Sequence, residues 1–160
     1  MAPQDSLDVI PKFGRCEPGD PYIARPTVFG LALDDAGRLA IVRIARGARV
    51  SWDLPGGMID PGETEPQALV REFCEETGWR VAPGPLVTRA EQLTITRTGE
   101  RRRNQCAFYV CRLIEMTDGK IEGDHDLVWL DAHQALTRLR HEAAAWAVAS
   151  WLRLGSSCPI

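Results

Sequence analysis

The chain predicts an α/β fold, and three observations carry that expectation. Short apolar runs rich in β-branched residues lie on both sides of one helical segment. That segment, about Glu65 to Thr77, carries its own start and stop signals. An alanine-rich stretch, His141–Leu154, closes the chain with a second long helix. Strands flanking a helix, followed by a terminal helix, call for layers of both types around one core.

Taken in order, residues 1–21 contain Pro3, Pro11, Pro18 and Pro21 and read as an extended arm. A domain over 22–154 follows, and residues 155–160 read as a tail. Thr27–Leu33 and Leu39–Ile44 are apolar runs on either side of the turn Asp34-Asp35-Ala36-Gly37, which predicts a hairpin. Trp52–Pro55 is a short strand entering the Gly56-Gly57 loop. Leu86–Thr96 and Gln105–Ile114 read as strands joined through Thr98-Gly99-Glu100, and Leu127–Leu130 as a last short strand. Ala132–Leu139 reads as a short helix ahead of the terminal one.

The central helix holds the chemistry. Thr64 and Gln67 form a capping-box pair, Pro66 falls in the first turn where its missing N–H costs nothing, and Gly78 follows the last turn. At 100° per residue Glu72, Glu75 and Glu76 share one stripe, with Glu65 and Ala68 further back on the same side. Leu69, Val70 and Phe73 make the adjacent apolar face that docks on a sheet. Like charges three and four residues apart repel by roughly a few tenths of a kcal/mol per pair when exposed, and by more when buried. A solvated acidic face is the bland account of three such glutamates. It leaves Gly56-Gly57 ahead of the helix and Arg71 beside the carboxylates without a purpose. A divalent cation reverses the repulsion, and hard oxygen ligands favour Mg²⁺ or Mn²⁺. His125, His133 and His141 are scattered and no Cys-x-x-Cys occurs, so zinc has no support.

Composition sets outer bounds. A chain of 160 residues makes one domain. With 19 basic and 22 acidic residues and a pI near 5.6, it has no electrostatic footprint for nonspecific nucleic-acid binding. Five cysteines, odd in number and unclustered, fit a reducing, cytoplasmic setting rather than a disulfide framework. The N-terminal residues carry Asp5 and Asp8 and no long apolar stretch, so neither a signal peptide nor a membrane association is expected.

From Gly57 to Trp79 the chain resembles the Nudix box, G-x5-E-x7-R-E-U-x-E-E-x-G-U, where U is bulky and apolar. Gly57, Glu63, Arg71, Glu72, Phe73, Glu75, Glu76, Gly78 and Trp79 meet every fixed position. The resemblance covers about Arg25 to Leu154, although only the box is specific. It implies an α/β/α sandwich with a mixed β-sheet, and an Mg²⁺-dependent hydrolase that cleaves the pyrophosphate of a nucleoside di- or triphosphate derivative to release a nucleoside monophosphate. Glu72 and Glu76 are the implied metal ligands, with Glu75 as a third ligand or a support for the base, and Gly57 offering a backbone carbonyl. Arg71 is implied as the partner that orients a box carboxylate. Glu63 stands behind the ligands, or simply favours the helix entry. The general base lies either in the box, at Glu75 or Glu76, or on the late loop Glu122-Gly123-Asp124-His125-Asp126, at Asp124 or Asp126; the box is preferred.

The substrate is a small-molecule nucleotide whose identity is narrowed only by elimination. No proline stands near Thr94 or Ile95, as in relatives acting on ADP-ribose, and no tyrosine near Thr96–Thr98, as in those acting on diadenosine polyphosphates. The S-Q-P-W-P motif of NADH pyrophosphatases is absent. Nucleoside triphosphates and sugar nucleotides remain. Arg43 and Arg46, at the end of an inner strand, are candidates to face the phosphates, whereas Arg97, Arg101, Arg102 and Arg103 read first as a solvated hairpin tip. Trp52, Phe108 and Tyr109 are either base-stacking partners or core. Trp146 and Trp151 pack the last helix down or form a homodimer face. The alternative to an enzyme is a non-catalytic Nudix-fold module that senses a nucleotide, which degenerate box glutamates would favour; none is degenerate.

Overall fold

The computed structural model describes residues 9–155; the first eight residues of the arm and residues 156–160 of the tail lie outside the described part. Eight strands and three helices follow one another as β1 (Lys12–Phe13), β2 (Ile23–Ala32), β3 (Leu39–Arg46), β4 (Arg49–Asp53), β5 (Gly56–Met58), α1 (Glu65–Thr77), β6 (Trp79–Ile95), β7 (Arg101–Met116), β8 (His125–Leu130), α2 (Ala132–Arg138) and α3 (Glu142–Arg153). A five-stranded sheet runs in the order β1-β6-β7-β2-β5, and a three-stranded one in the order β4-β3-β8. The larger sheet is mixed: β1 lies parallel to β6 and β2 parallel to β7, while the remaining pairs are antiparallel. Residues 12–13 of the N-terminal arm therefore extend the sheet at its edge.

Side chains alternate across β2 and β7 with the period of a strand, and each face takes its own helix. Val28 and Ala32, with Ala107 and Cys111, pack against Ala68, Leu69 and Phe73 of α1. Leu31, Cys106 and Phe108 point the other way, into a cluster with Ala135 of α2 and Ala143, Ala144, Ala147 and Val148 of α3. Small residues let the backbones approach. A Cβ at Gly30 would stand 3.1 Å from the Phe73 ring, so this glycine seats α1 on the sheet. Trp151 packs on the α3 cluster, and Trp146 stands beside Phe13 with ring centroids 6.1 Å apart.

The expected hairpin between the first two long strands is corrected. The backbone pairs across this turn only through the isolated bridge Leu33–Leu39, just past β2, and β2 and β3 then run in different sheets. Both edges of β2 are already taken, one by β7 over Ile23–Ala32 and the other by β5. The strand expected at 52–55 instead runs over Arg49–Asp53 as the hairpin partner of β3, turning at Gly47, whose φ is 60°. β6 begins at Trp79, before the expected Leu86, because the Pro83-Gly84-Pro85 stretch is absorbed as irregularities of register instead of ending the strand.

Candidate active site

α1 forms where its capping signals put it. The Thr64 hydroxyl accepts from the Gln67 backbone N–H, the Gln67 side chain accepts from the Thr64 backbone N–H, and Gly78 closes the helix at φ 82°. The helix thereby holds its carboxylates against the start of β5. Gly56 sits at φ 148° with no room for a side chain, since a Cβ would fall 2.1 Å from the Val28 carbonyl oxygen. At Gly57 a Cβ would meet the Glu72 carboxyl at 2.6 Å. Two glycines thus let backbone and carboxylates share one space.

Arg71 gathers the acidic residues around it. Its guanidinium donates to both oxygens of Glu63 at 2.7 and 2.8 Å, to Glu72 at 2.8 Å, to Glu75 at 3.4 Å and to the Met58 carbonyl at 3.0 Å. The hydrogen bonds from Arg71 hold the Glu63 carboxyl down at about 2, and in return raise the Arg71 pKa further above its ordinary value. Glu72 is pushed up by burial, against the opposing pull of Arg71. Arg71 thus bridges Glu63 on one side to Glu72 and Glu75 on the other.

Glu76 stands apart from that cluster. It is buried, its Oε2 accepts from the Gly56 N–H at 2.9 Å, and its Oε1 lies 3.4 Å from Nε2 of His125. Among the described residues this imidazole is the only ion-pair partner found for it. Burial is the main reason its carboxyl is driven up to about 9, with the negative charges of Asp53, Glu72 and Glu122 adding to it. A group in that condition either binds a proton or faces a cation.

Glu76, Gly56 and Gly57 border a cleft of about 220 Å³ between the two sheets. Phe29 and Phe108, stacked at 5.6 Å, form part of its wall, and Arg25, Arg46, Arg102 and Arg140 bring positive charge to it. Of the three aromatic residues weighed for base stacking, only Phe108 lines this cleft; Trp52 lies beneath the Arg138 guanidinium and the Tyr109 hydroxyl donates to Glu65. Arg102 reaches the cleft while paired with Glu100, so it is not part of a wholly solvated tip. Arg101 is spent on carbonyl oxygens of Glu17, Pro18 and Asp20.

The late loop arrives already neutralised. Asp124 accepts from Arg46 at 2.7 Å and Asp126 from Arg43 at 3.2 Å, so the two candidate bases are paired with the two candidate phosphate ligands. Arg46 lines the cleft; Arg43 and Asp126 form an exposed pair on β3 and β8 that does not border it. The hydrogen bond from Arg46 holds Asp124 at about 2. Glu122, Asp124 and His125 form the one group of three such side chains, among the described residues, with ligand atoms within 4.8 Å of one another. His125 was not among the residues the sequence singled out. Its burial beside Glu76 follows from the pairing of β8 with β3, which a scattered histidine does not announce.

The family model described as NUDIX domain matches residues 24–152. The chain belongs to the Nudix family. It is 31% identical over 121 residues to a putative mutator protein MutT4 of Mycobacterium tuberculosis, covering 70% of this chain and 48% of that one. It is 43% identical over 54 residues to a putative 8-oxo-dGTP diphosphatase of Bacillus subtilis, covering 34% of this chain and 35% of that protein. The matches thus span between a third and a half of these curated relatives. In fold it is similar to a NUDIX hydrolase from Nitrosomonas europaea, with a TM-score of 0.69 at 19% identity over 82% of this chain and 90% of the other. The mixed sheet between helices is the architecture that the box implied. No helix among the described residues is long and apolar enough to cross a membrane.

Proposed function

We propose that this Nudix chain is a divalent-metal-dependent pyrophosphohydrolase acting on a small nucleotide, with a nucleoside triphosphate favoured over a sugar nucleotide. The observation that carries the reading is Glu76, a buried carboxylate facing a cationic, partly aromatic cleft with no arginine or lysine paired to it among the described residues. The donor chemistry suits a hard cation, since Glu72, Glu75, Glu76 and the Gly57 carbonyl are all oxygens and the missing Cβ of Gly57 lets the Glu72 carboxyl approach, although the three box carboxylates do not all lie within 4.8 Å of one another. These residues would hold Mg²⁺ or Mn²⁺, which when bound offsets negative charge on phosphate oxygens and makes water a better nucleophile at neutral pH.

The chain's own residues supply the rest. Arg71 fixes the carboxylates of Glu72 and Glu75 by direct hydrogen bonds, so they are set before substrate arrives. Arg25, Arg46, Arg102 and Arg140 border the cleft where an anionic chain would lie, and the Phe29–Phe108 wall offers an apolar face to a base. Of the candidate bases, Glu75 and Glu76 lie in the box, while Asp124 is already engaged by Arg46 and Asp126 by Arg43. The box is therefore the preferred source of the base. The names of the relatives, a mutator protein and an 8-oxo-dGTP diphosphatase, support the nucleoside triphosphate as substrate.

A panel of nucleoside triphosphates, oxidised guanine nucleotides, sugar nucleotides, ADP-ribose and dinucleoside polyphosphates tests the reading, with products resolved by chromatography. A nucleoside triphosphate should give the monophosphate and pyrophosphate at the highest kcat/KM. Tight binding of a nucleotide without turnover of any compound would favour the sensing module instead.

A further inference from the structure

A line of contacts joins Glu76 to the cleft arginine Arg46 through two residues of the late loop. His125 is buried at the start of β8, with Nε2 3.4 Å from Glu76 Oε1 and Nδ1 2.7 Å from Asp124 Oδ1. The other oxygen of Asp124 accepts from Nε of Arg46 at 2.7 Å. Two further sets of bonds fix the loop. The backbone N–H groups of Ile121 and Glu122 both donate to the Glu75 carbonyl, tying the loop to α1 beside the box. The Ala45 N–H donates to the Asp124 carbonyl, tying it to β3. A surface loop that only connected β7 to β8 would not require a buried imidazole aimed at a box carboxylate.

We propose that His125 is a positioning residue for the box: oriented by Asp124 and Arg46, it fixes the Glu76 carboxylate through Oε1 while the Gly56 N–H fixes Oε2. The inference rests on the reading of Glu76 given above. Asp124, held as an acceptor by Arg46, takes the Nδ1 proton, so the ring turns Nε2 to Glu76, where one further proton between Nε2 and Oε1 makes the contact a hydrogen bond, and the ring cannot turn over without breaking both bonds. A partner behind a reacting carboxylate restricts its rotamers, and losing such a partner ordinarily costs roughly 10- to 100-fold in activity. The effect falls mainly on kcat, since His125, although it also borders the cleft, has both ring nitrogens engaged by Glu76 and Asp124.

Two measurements on the full chain test this. In steady-state kinetics, His125→Ala should lower kcat about 10-fold or more with KM nearly unchanged, and His125→Gln should recover part of the loss. In a Glu76→Gln background the same His125→Ala change should alter kcat by no more than about twofold, because the group it positions has gone. A loss equally large in that background would mark a general packing role and overturn the proposal. The second measurement needs no activity: imidazole ¹⁵N spectra of the metal-free protein should show the His125 proton on Nδ1, a shift of that tautomer with Asp124→Ala, and a displaced Nε2 resonance with Glu76→Gln. A ring without a proton on Nδ1 in the unsubstituted protein, or an Nε2 resonance indifferent to Glu76→Gln, would overturn it. If the chain hydrolyses nothing in the panel, the proposed function fails while these spectra still decide the contact.

Discussion

Glu76 keeps 9% of its surface, one backbone N–H and one imidazole, and its carboxyl rises from 4.5 to about 9 through burial and neighbouring negative charge. The sign of the resulting pH dependence is fixed. A folded-state pKa above the unfolded one adds stability that is fully present below about 4.5 and is lost as pH rises through about 9. Metal-free protein should therefore lose stability between those limits on this account, and chemical denaturation at pH 5 and pH 8.5 in chelator would show it. Glu76→Gln removes the titration and keeps an acceptor for the Gly56 N–H. Its metal-free stability should match or exceed that of the parent, by roughly 1 kcal/mol or more at the alkaline end, while kcat falls by about 10²-fold or more. A variant that is less stable at pH 8.5 would contradict the cost assigned to the buried charge, and one that turns over normally would place the chemistry elsewhere. The box residues were legible in the sequence because their partners lie on the same helix or just before it: Glu63, Arg71, Glu72 and Glu75 meet through spacing alone. His125 and the pairing of Asp124 with Arg46 were not, because both depend on strand register between β3 and β8.

α1 is the element most fully written in local sequence. Its bounds, Thr64 cap, Gln67 return bond and left-handed Gly78 follow from backbone groups that each terminus leaves unpaired, and nothing distant can override them cheaply. The short strand β5 ahead of it is equally constrained. Gly57→Ala would drive a methyl group into the Glu72 carboxyl, so it should lower kcat by displacing Glu72 from its bond with Arg71. Circular dichroism should show the fold retained and activity assays the loss; undiminished turnover would mean that Glu72 need not approach β5. The strands were less legible. The turn at Asp34–Gly37 is real, with the Gly37 N–H donating to the Asp34 carbonyl, yet it joins two sheets instead of one hairpin. Local residues specify that the chain reverses; which strands then pair is decided elsewhere, β2 being taken by β5 and β7 and β3 by β4 and β8.

Across the whole molecule, the two sheets and two helical layers bring α1, the β4–β5 loop, the start of β8 and the α2–α3 connection to one cleft. The α/β class and the box face were readable from periodicity and capping. The split of the sheet, the anchoring of the late loop on Glu75 and the arginines that meet at the cleft arise only when distant strands pair. The proposal joins these scales: Glu76, buried with no arginine or lysine paired to it among the described residues, would serve a hard divalent cation in the hydrolysis of a nucleotide pyrophosphate. The most direct test is turnover of the best panel substrate by unsubstituted protein and by Glu76→Gln, each in excess chelator and after addition of Mg²⁺, Mn²⁺ or Zn²⁺. Chelator should abolish hydrolysis by the unsubstituted protein, Mg²⁺ or Mn²⁺ should restore it better than Zn²⁺, and Glu76→Gln should stay about 10²-fold or more below it with every metal. Full hydrolysis in chelator, or a Glu76→Gln rate equal to that of the parent, would contradict the account.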